Sequence, residues 1–186
     1  MIAITLPDGS VRQYENPLTV LDIATDISEG LARNVLSAKF NGETVEASTR
    51  IEADGDLRLF TWNDDEGKTA FWHSSAHILA QSLLALYPTA KLTIGPAIEN
   101  GFYYDVDFGG DSFSEKDLPA LEKQFLTFAR EKFAFSMRSS SKADALAFYK
   151  AENNPFKVGL IEHLEDGTIS FCDHADFTDL CRGRHI

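Results

Sequence analysis

Two turn signals constrain this chain more than any other local feature. Pro7-Asp8-Gly9-Ser10 separates residues 2–6, where Ile2, Ile4 and Leu6 alternate with Ala3 and Thr5, from a second extended run at residues 11–15. Asn41-Gly42 separates residues 37–40 from residues 43–46. The alternation has the two-residue period of a strand. Both residues of an Asn-Gly pair tolerate positive φ, which a two-residue hairpin turn demands. Each signal therefore predicts an antiparallel hairpin.

Between the hairpins, Thr19 is placed to cap a helix, with Val20, Ile23, Ala24 and Ile27 at helical spacing behind it. Asp54-Gly55-Asp56 is a further turn, and residues 57–60 a last strand. The order strand, strand, helix, strand, strand, strand is that of a ubiquitin-like β-grasp. Residues 63–68, Asn-Asp-Asp-Glu-Gly-Lys, form a polar run that reads as a linker. The expectation is a small β-grasp domain at residues 1–61, followed by a second domain at residues 62–186.

That second region reads as α+β. A helix is expected over residues 70–87, ended by Pro88, with Leu79, Leu83 and Leu86 as its apolar stripe. Residues 102–108 read as a strand. A helix follows from Ser114 to about Ala134, with Leu118, Leu121, Phe125 and Phe128 on one face, and another over residues 142–150. Residues 156–164 and 168–172 read as strands around the Asp166-Gly167 turn. Helices packed on an antiparallel sheet are the expected architecture.

The 186 residues carry a formal net charge of −12, which argues against a general nucleic-acid coat. Contact with RNA through one local face remains open. The two cysteines, Cys172 and Cys181, give no disulfide framework, so reduced thiols in the cytoplasm are expected. The opening residues have no basic n-region and no apolar h-region, so no signal peptide is expected, and no run approaches the length of a membrane span. The abrupt end at Arg184-His185-Ile186 leads to the expectation that the chain is a piece of something longer.

His73-Ser74-Ser75-Ala76-His77 sets two imidazoles one helical turn apart on one face. Cys181-Arg182-Gly183-Arg184-His185 adds a thiol and an imidazole at a second metal-ligand spacing. Three of the five histidines thus fall into one candidate set with one of the two cysteines. Either pair alone also fits structural histidines and a core cysteine. The Glu of the zinc-protease motif is missing, since Ser74 follows the first histidine.

The surrounding residues carry a resemblance. Trp72-His73-Ser74-Ser75-Ala76-His77-Ile78-Leu79-Ala80 resembles the His-Ser-x-Ala-His stretch of threonyl-tRNA synthetases. Ile94-Gly95-Pro96 with Asn100-Gly101-Phe102-Tyr103-Tyr104-Asp105, and Asp179-Leu180-Cys181-Arg182-Gly183-Arg184-His185, resemble two further stretches of that family in the same order. The first sixty residues resemble its small TGS domain. Alanyl-tRNA synthetase editing domains share the two His/Cys pairs, but the Gly-Phe-Tyr-Tyr-Asp stretch and the leading β-grasp favour the threonyl family. Position 184 departs from the pattern: Arg stands where the family usually has Pro, which loosens the loop before His185.

The resemblance implies an amino-terminal fragment, a TGS plus a C-terminally incomplete editing domain, that hydrolyses mischarged seryl-tRNA(Thr) without aminoacylation. It implies His73, His77, Cys181, His185, Lys157 and Asp179 as catalytic residues, and Tyr104 and Arg182 as substrate-binding residues. His73 and His77 would position or deprotonate water, Lys157 pair with the terminal phosphate or ribose, Asp179 bind the serine ammonium, and Tyr104 stack on the terminal adenine. The expected partner is the tRNA(Thr) acceptor end, with no membrane, from a monomer; the full-length family is a homodimer. The resemblance points to metal-free hydrolysis, although the ligand types permit zinc at His73, His77, Cys181 and His185. ATP, magnesium and the family's own zinc would belong to an absent charging core. Two other readings fit the same residues: an RNA- or protein-binding module with structural histidines, and a free-standing zinc-dependent deacylase.

Overall fold

The computed structural model describes residues 1–186. The chain divides into two compact units, Met1–Ser74 with Arg184–Ile186, and Ser75–Gly183.

In the first unit, β1 (Ile2–Thr5) and β2 (Val11–Tyr14) form the first hairpin, with Ile2 opposite Tyr14. Short β3 (Leu18–Thr19) leads into α1 (Val20–Ile27). The Thr19 hydroxyl accepts from Asp22 N, and the Asp22 carboxylate accepts from Thr19 N. This reciprocal cap satisfies two N–H groups that the helix itself leaves unbonded. A single turn, α2 (Glu29–Ala32), precedes the second hairpin, β4 (Ser37–Phe40) and β5 (Glu43–Glu46). Asn41 and Gly42 at its turn have φ of 47° and 88°, as the sequence demanded. Short β6 (Arg50–Ile51) pairs β3, and β7 (Gly55–Phe60) closes the sheet.

The strand order is β2-β1-β7-β4-β5, with β1 and β7 parallel and the other neighbours antiparallel. This is the β-grasp arrangement. Ile4, Val20, Ile23, Ala24, Ala38 and Leu57 are buried between sheet and helix and form its core.

Helix α3 (Asp65–Leu86) begins five residues before the expected start, so residues 65–68 are its first turn rather than a linker. Asp65 and Glu66 stand at its positive end, where carboxylates are favoured. The expected apolar stripe is also incomplete. Leu83 is buried, but Leu86 is exposed, and residues 74–78 and 80–83 are all buried. A helix enclosed this widely has no single apolar face. It uses small residues, and the hydroxyls of Ser74 and Ser82 donate to the carbonyls of Ala70 and Ile78.

In the second unit the expected strand over residues 102–108 is interrupted. β8 (Lys91–Leu92) pairs β11 (Val106–Asp107), and β9 (Ala97–Ile98) pairs β10 (Gly101–Phe102), which leaves Tyr103 to Asp105 between them. After one 3₁₀ turn at Glu115–Asp117, α4 (Leu118–Glu131) runs to Lys132, which takes a left-handed φ of 53°. β12 (Phe135–Ser140), β13 (Ile169–His174) and β14 (Phe177–Leu180) form an antiparallel sheet with β13 in the middle. α5 (Lys142–Ala151) and α6 (Pro155–Glu162) lie between β12 and β13 in sequence. Ala145, Tyr149, Ile161, Ile169 and Phe171 bury one core from helices and sheet together.

Residues 156–164 are expected as a strand, but 156–162 are helical, within α6. Asn154 caps α6 by accepting from Lys157 N, and Pro155 occupies the first turn, where its missing N–H costs no hydrogen bond. The i,i+4 pair Lys157 and Ile161 is the buried face. No helix is long and apolar enough to cross a membrane.

Candidate active site

Asp179, on β14, is the hub of a buried polar network in the second unit. Lys157 Nζ on α6 lies 2.6 Å from its Oδ1, and Tyr104 donates to its Oδ2 at 2.7 Å. Tyr149 on α5 donates to Oδ1 at 3.3 Å while accepting from Leu180 N at 2.7 Å. His77 Nδ1, on α3, faces Oδ2 at 3.4 Å. Two helices, a loop and the central helix thus converge on one carboxylate.

The far side of the His77 ring meets Cys181: Nε2 and Sγ are 3.2 Å apart. The main chain of Cys181 is anchored to β13, because its N–H donates to Ser170 O and its carbonyl accepts from the Ser170 hydroxyl. Gly183 N–H also donates to Sγ, at 3.2 Å. Aspartate, imidazole and thiol therefore stand in line.

The protonation states follow from this geometry. Burial alone pushes the Asp179 carboxyl up, but Lys157 and His77 outweigh it and hold the group well below the usual carboxylate range. Burial opposes the His77 imidazolium, yet its bonds to Asp179 and Cys181 win and push it up to about 9. Burial and the Asp179 charge push both tyrosine hydroxyls far up, so both remain donors. At neutral pH Asp179 is ionised and His77 is charged between it and Cys181.

A cavity of about 360 Å³ opens against this network, lined by Leu92, Phe148, Tyr149, Lys157, Phe177 and Asp179 among others. One motif finds its physical reason beside it. A Cβ at Gly95 would overlap the ring of Tyr104, so glycine there makes room for the tyrosine that reaches Asp179.

His73 and His185 belong to the first unit. Their ring centroids are 4.8 Å apart. His185 is fully enclosed; its N and Nδ1 face Glu46 Oε1 at 3.0 and 2.9 Å. Ile186 N donates to the Ser74 hydroxyl.

The eight residues singled out from sequence thus fall as follows. His77, Cys181, Lys157, Asp179 and Tyr104 share one network; His73 and His185 adjoin one another; Arg182 is exposed on the connecting stretch. Cys172 and His174 lie within β13, where His174 donates to Gln81 and stacks on Phe135. Tyr149 and Glu46 were not singled out. Neither sits in a local motif, and each acts on a partner far away in sequence. The His77/Cys181 pair has the donor types that suit zinc.

Comparison with known proteins completes the description. Residues 2–61 match the family model described as the TGS domain. Over its full length the chain is 59% identical to the threonine–tRNA ligase of Flavobacterium psychrophilum and 59% identical to that of Flavobacterium johnsoniae. It is 50% identical to that of Porphyromonas gingivalis strain W83. The matches take in 100% of this chain but 28%, 28% and 29% of the respective relatives, so the chain spans a little over a quarter of their length.

Proposed function

Because the chain belongs to the threonine–tRNA ligase family, we propose that it carries that family's proofreading reaction, the hydrolysis of serine wrongly esterified to tRNA(Thr). A synthetic site that accepts threonine rejects serine poorly, since the two differ by one methyl group worth roughly 1–3 kcal/mol. A second site that hydrolyses the smaller ester adds the missing discrimination. The observation that carries this reading is the buried row Lys157, Asp179, His77 and Cys181. A scaffold has little use for a charged imidazole enclosed beside a thiol, whereas ester hydrolysis needs such a group where charge develops.

In this reading His77 is the charge stabiliser. As an imidazolium at neutral pH it has no lone pair with which to take a proton from water. Its Nδ1 faces Asp179 and its Nε2 faces Cys181, so it stabilises through its charge the oxyanion that forms when water attacks the ester carbonyl, and Asp179 keeps it charged. His73, one turn earlier on α3, is then the base that takes the water proton. Cys181 orients His77, and His185 orients His73. Lys157 keeps Asp179 ionised. Tyr104, with its hydroxyl committed to Asp179, presents its ring to the terminal nucleoside, and exposed Arg182 pairs with phosphate. The tRNA acceptor end is the partner, met in the cytoplasm by a monomer.

Zinc would be held by His77 and Cys181 with His73 and His185, and would supply Lewis acidity toward water. It would have to displace the proton on His77; the family resemblance favours hydrolysis by the side chains alone.

The deciding experiment is release of serine from seryl-tRNA(Thr) by the 186-residue chain, beside His73→Ala, His77→Ala and the double variant. Serine should be released and threonine on the same tRNA spared, with each variant slowed by about 100-fold or more. Full activity in the double variant would sink the proposal.

A further inference from the structure

We infer that Glu46, a residue of the β-grasp sheet, is a positioning residue for this hydrolysis: it sets the tautomer and orientation of the His185 ring. The inference rests on the proofreading role proposed above, and it gives the β-grasp domain a part in the chemistry.

Glu46 is the last residue of edge strand β5, and its carbonyl accepts from Thr49 N, so its backbone is held at both the ladder and the following turn. One oxygen, Oε1, receives two groups of His185, the main-chain N–H at 3.0 Å and ring Nδ1 at 2.9 Å. An oxygen that accepts the main-chain N–H is an acceptor, so the ring proton must sit on Nδ1. In the neutral ring Nε2 then carries the lone pair. The main-chain bond fixes where His185 stands, and the ring bond fixes how it is turned. The next residue is tied as well, through Ile186 N to Ser74, one position after His73 on α3. The His185 ring, 0% exposed, lies beside that of His73. A carboxylate that holds the second nitrogen of a working histidine is a recurrent device for setting which nitrogen acts.

The test uses the full chain with Glu46→Met, which keeps the side-chain volume and removes both acceptors, Glu46→Ala, and Glu46→Gln, whose amide oxygen still accepts both N–H groups. Ring nitrogen NMR shifts of His185 report the tautomer without reference to any reaction. Wild type and Glu46→Gln should show the proton on Nδ1, and Glu46→Met and Glu46→Ala a mixture. In the same variants kcat for seryl-tRNA hydrolysis should fall about 10–100-fold with KM little changed, and Glu46→Gln should recover most of it. An unchanged tautomer in Glu46→Met overturns the inference, and so does a shifted tautomer with unchanged kcat. If wild type itself releases no serine while the tautomer shifts as expected, the hold of Glu46 on His185 stands and the proofreading reading falls.

Discussion

Lys157 Nζ and Asp179 Oδ1 are 2.6 Å apart, and each side chain is only 4% exposed. A pair this enclosed is held by mutual dependence, because losing either charge leaves the other buried without its nearest counter-charge. Lys157→Met should therefore destabilise the chain by about 3–5 kcal/mol. Asp179→Asn should cost as much, and the Lys157→Met/Asp179→Asn double variant distinctly less than the sum. Urea unfolding of the four proteins checks this, and additive losses would contradict the pairing.

Stability should also depend on His77 in a defined pH range. Its folded-state pKa, about 9, lies above the ordinary 6.5. The folded state thus binds the proton more tightly, and the resulting stabilisation is complete below about pH 6.5 and lost as pH rises through about 9. That gap corresponds to about 3 kcal/mol. Asp179, held low, adds the opposite limb: its stabilisation is present above the ordinary carboxylate pKa and lost in strong acid. Midpoints of urea unfolding from pH 6 to 10 should fall for wild type and stay much flatter for His77→Gln.

Gly95→Ala tests the position of Tyr104. The added methyl overlaps the tyrosine ring and should drive it off Asp179. Seryl-tRNA hydrolysis should drop by about 10-fold or more, as for a misplaced group near the reacting atoms. Tyr104→Phe, which loses the hydroxyl but keeps the ring, should drop less. Equal losses in the two would place the burden on the hydroxyl rather than the ring.

Metal removal separates the two chemistries that a His/Cys set permits. Hydrolysis by the side chains alone should survive prolonged dialysis against EDTA, and added zinc should slow it by competing with the proton on His77. Loss of activity in EDTA with recovery in equimolar zinc would reverse that assignment.

Local chemistry made some of this legible from sequence and hid the rest. The hairpins and the Thr19 cap were readable because turn and cap residues act on their own neighbours. Residues 156–162 are helical despite the alternation of Phe156, Val158 and Leu160, because Asn154 caps the helix and Pro155 opens its first turn. β12 was missed because Phe135–Ser140 is mostly polar and borrows its register from β13. The network around Asp179 was half visible. His77 and Cys181 stand in spaced motifs, and Lys157 and Asp179 came with the family resemblance. Tyr149 and Glu46 were invisible, since a lone tyrosine in a helix and a glutamate at a strand end carry no pattern until the chain is folded.

Asn154 does more than begin a helix. Its side-chain oxygen caps α6, three residues before the buried lysine, while its Nδ2 grips Leu92 O on β8. The lysine is thus surveyed from β8 directly, not through the long stretch of chain that separates the two. Within that stretch α4 buries only Leu121. Lineages are free to lengthen, shorten or rewrite α4 without disturbing where the lysine stands, so sequence drift should gather there and leave the Asn154–Leu92 tie alone.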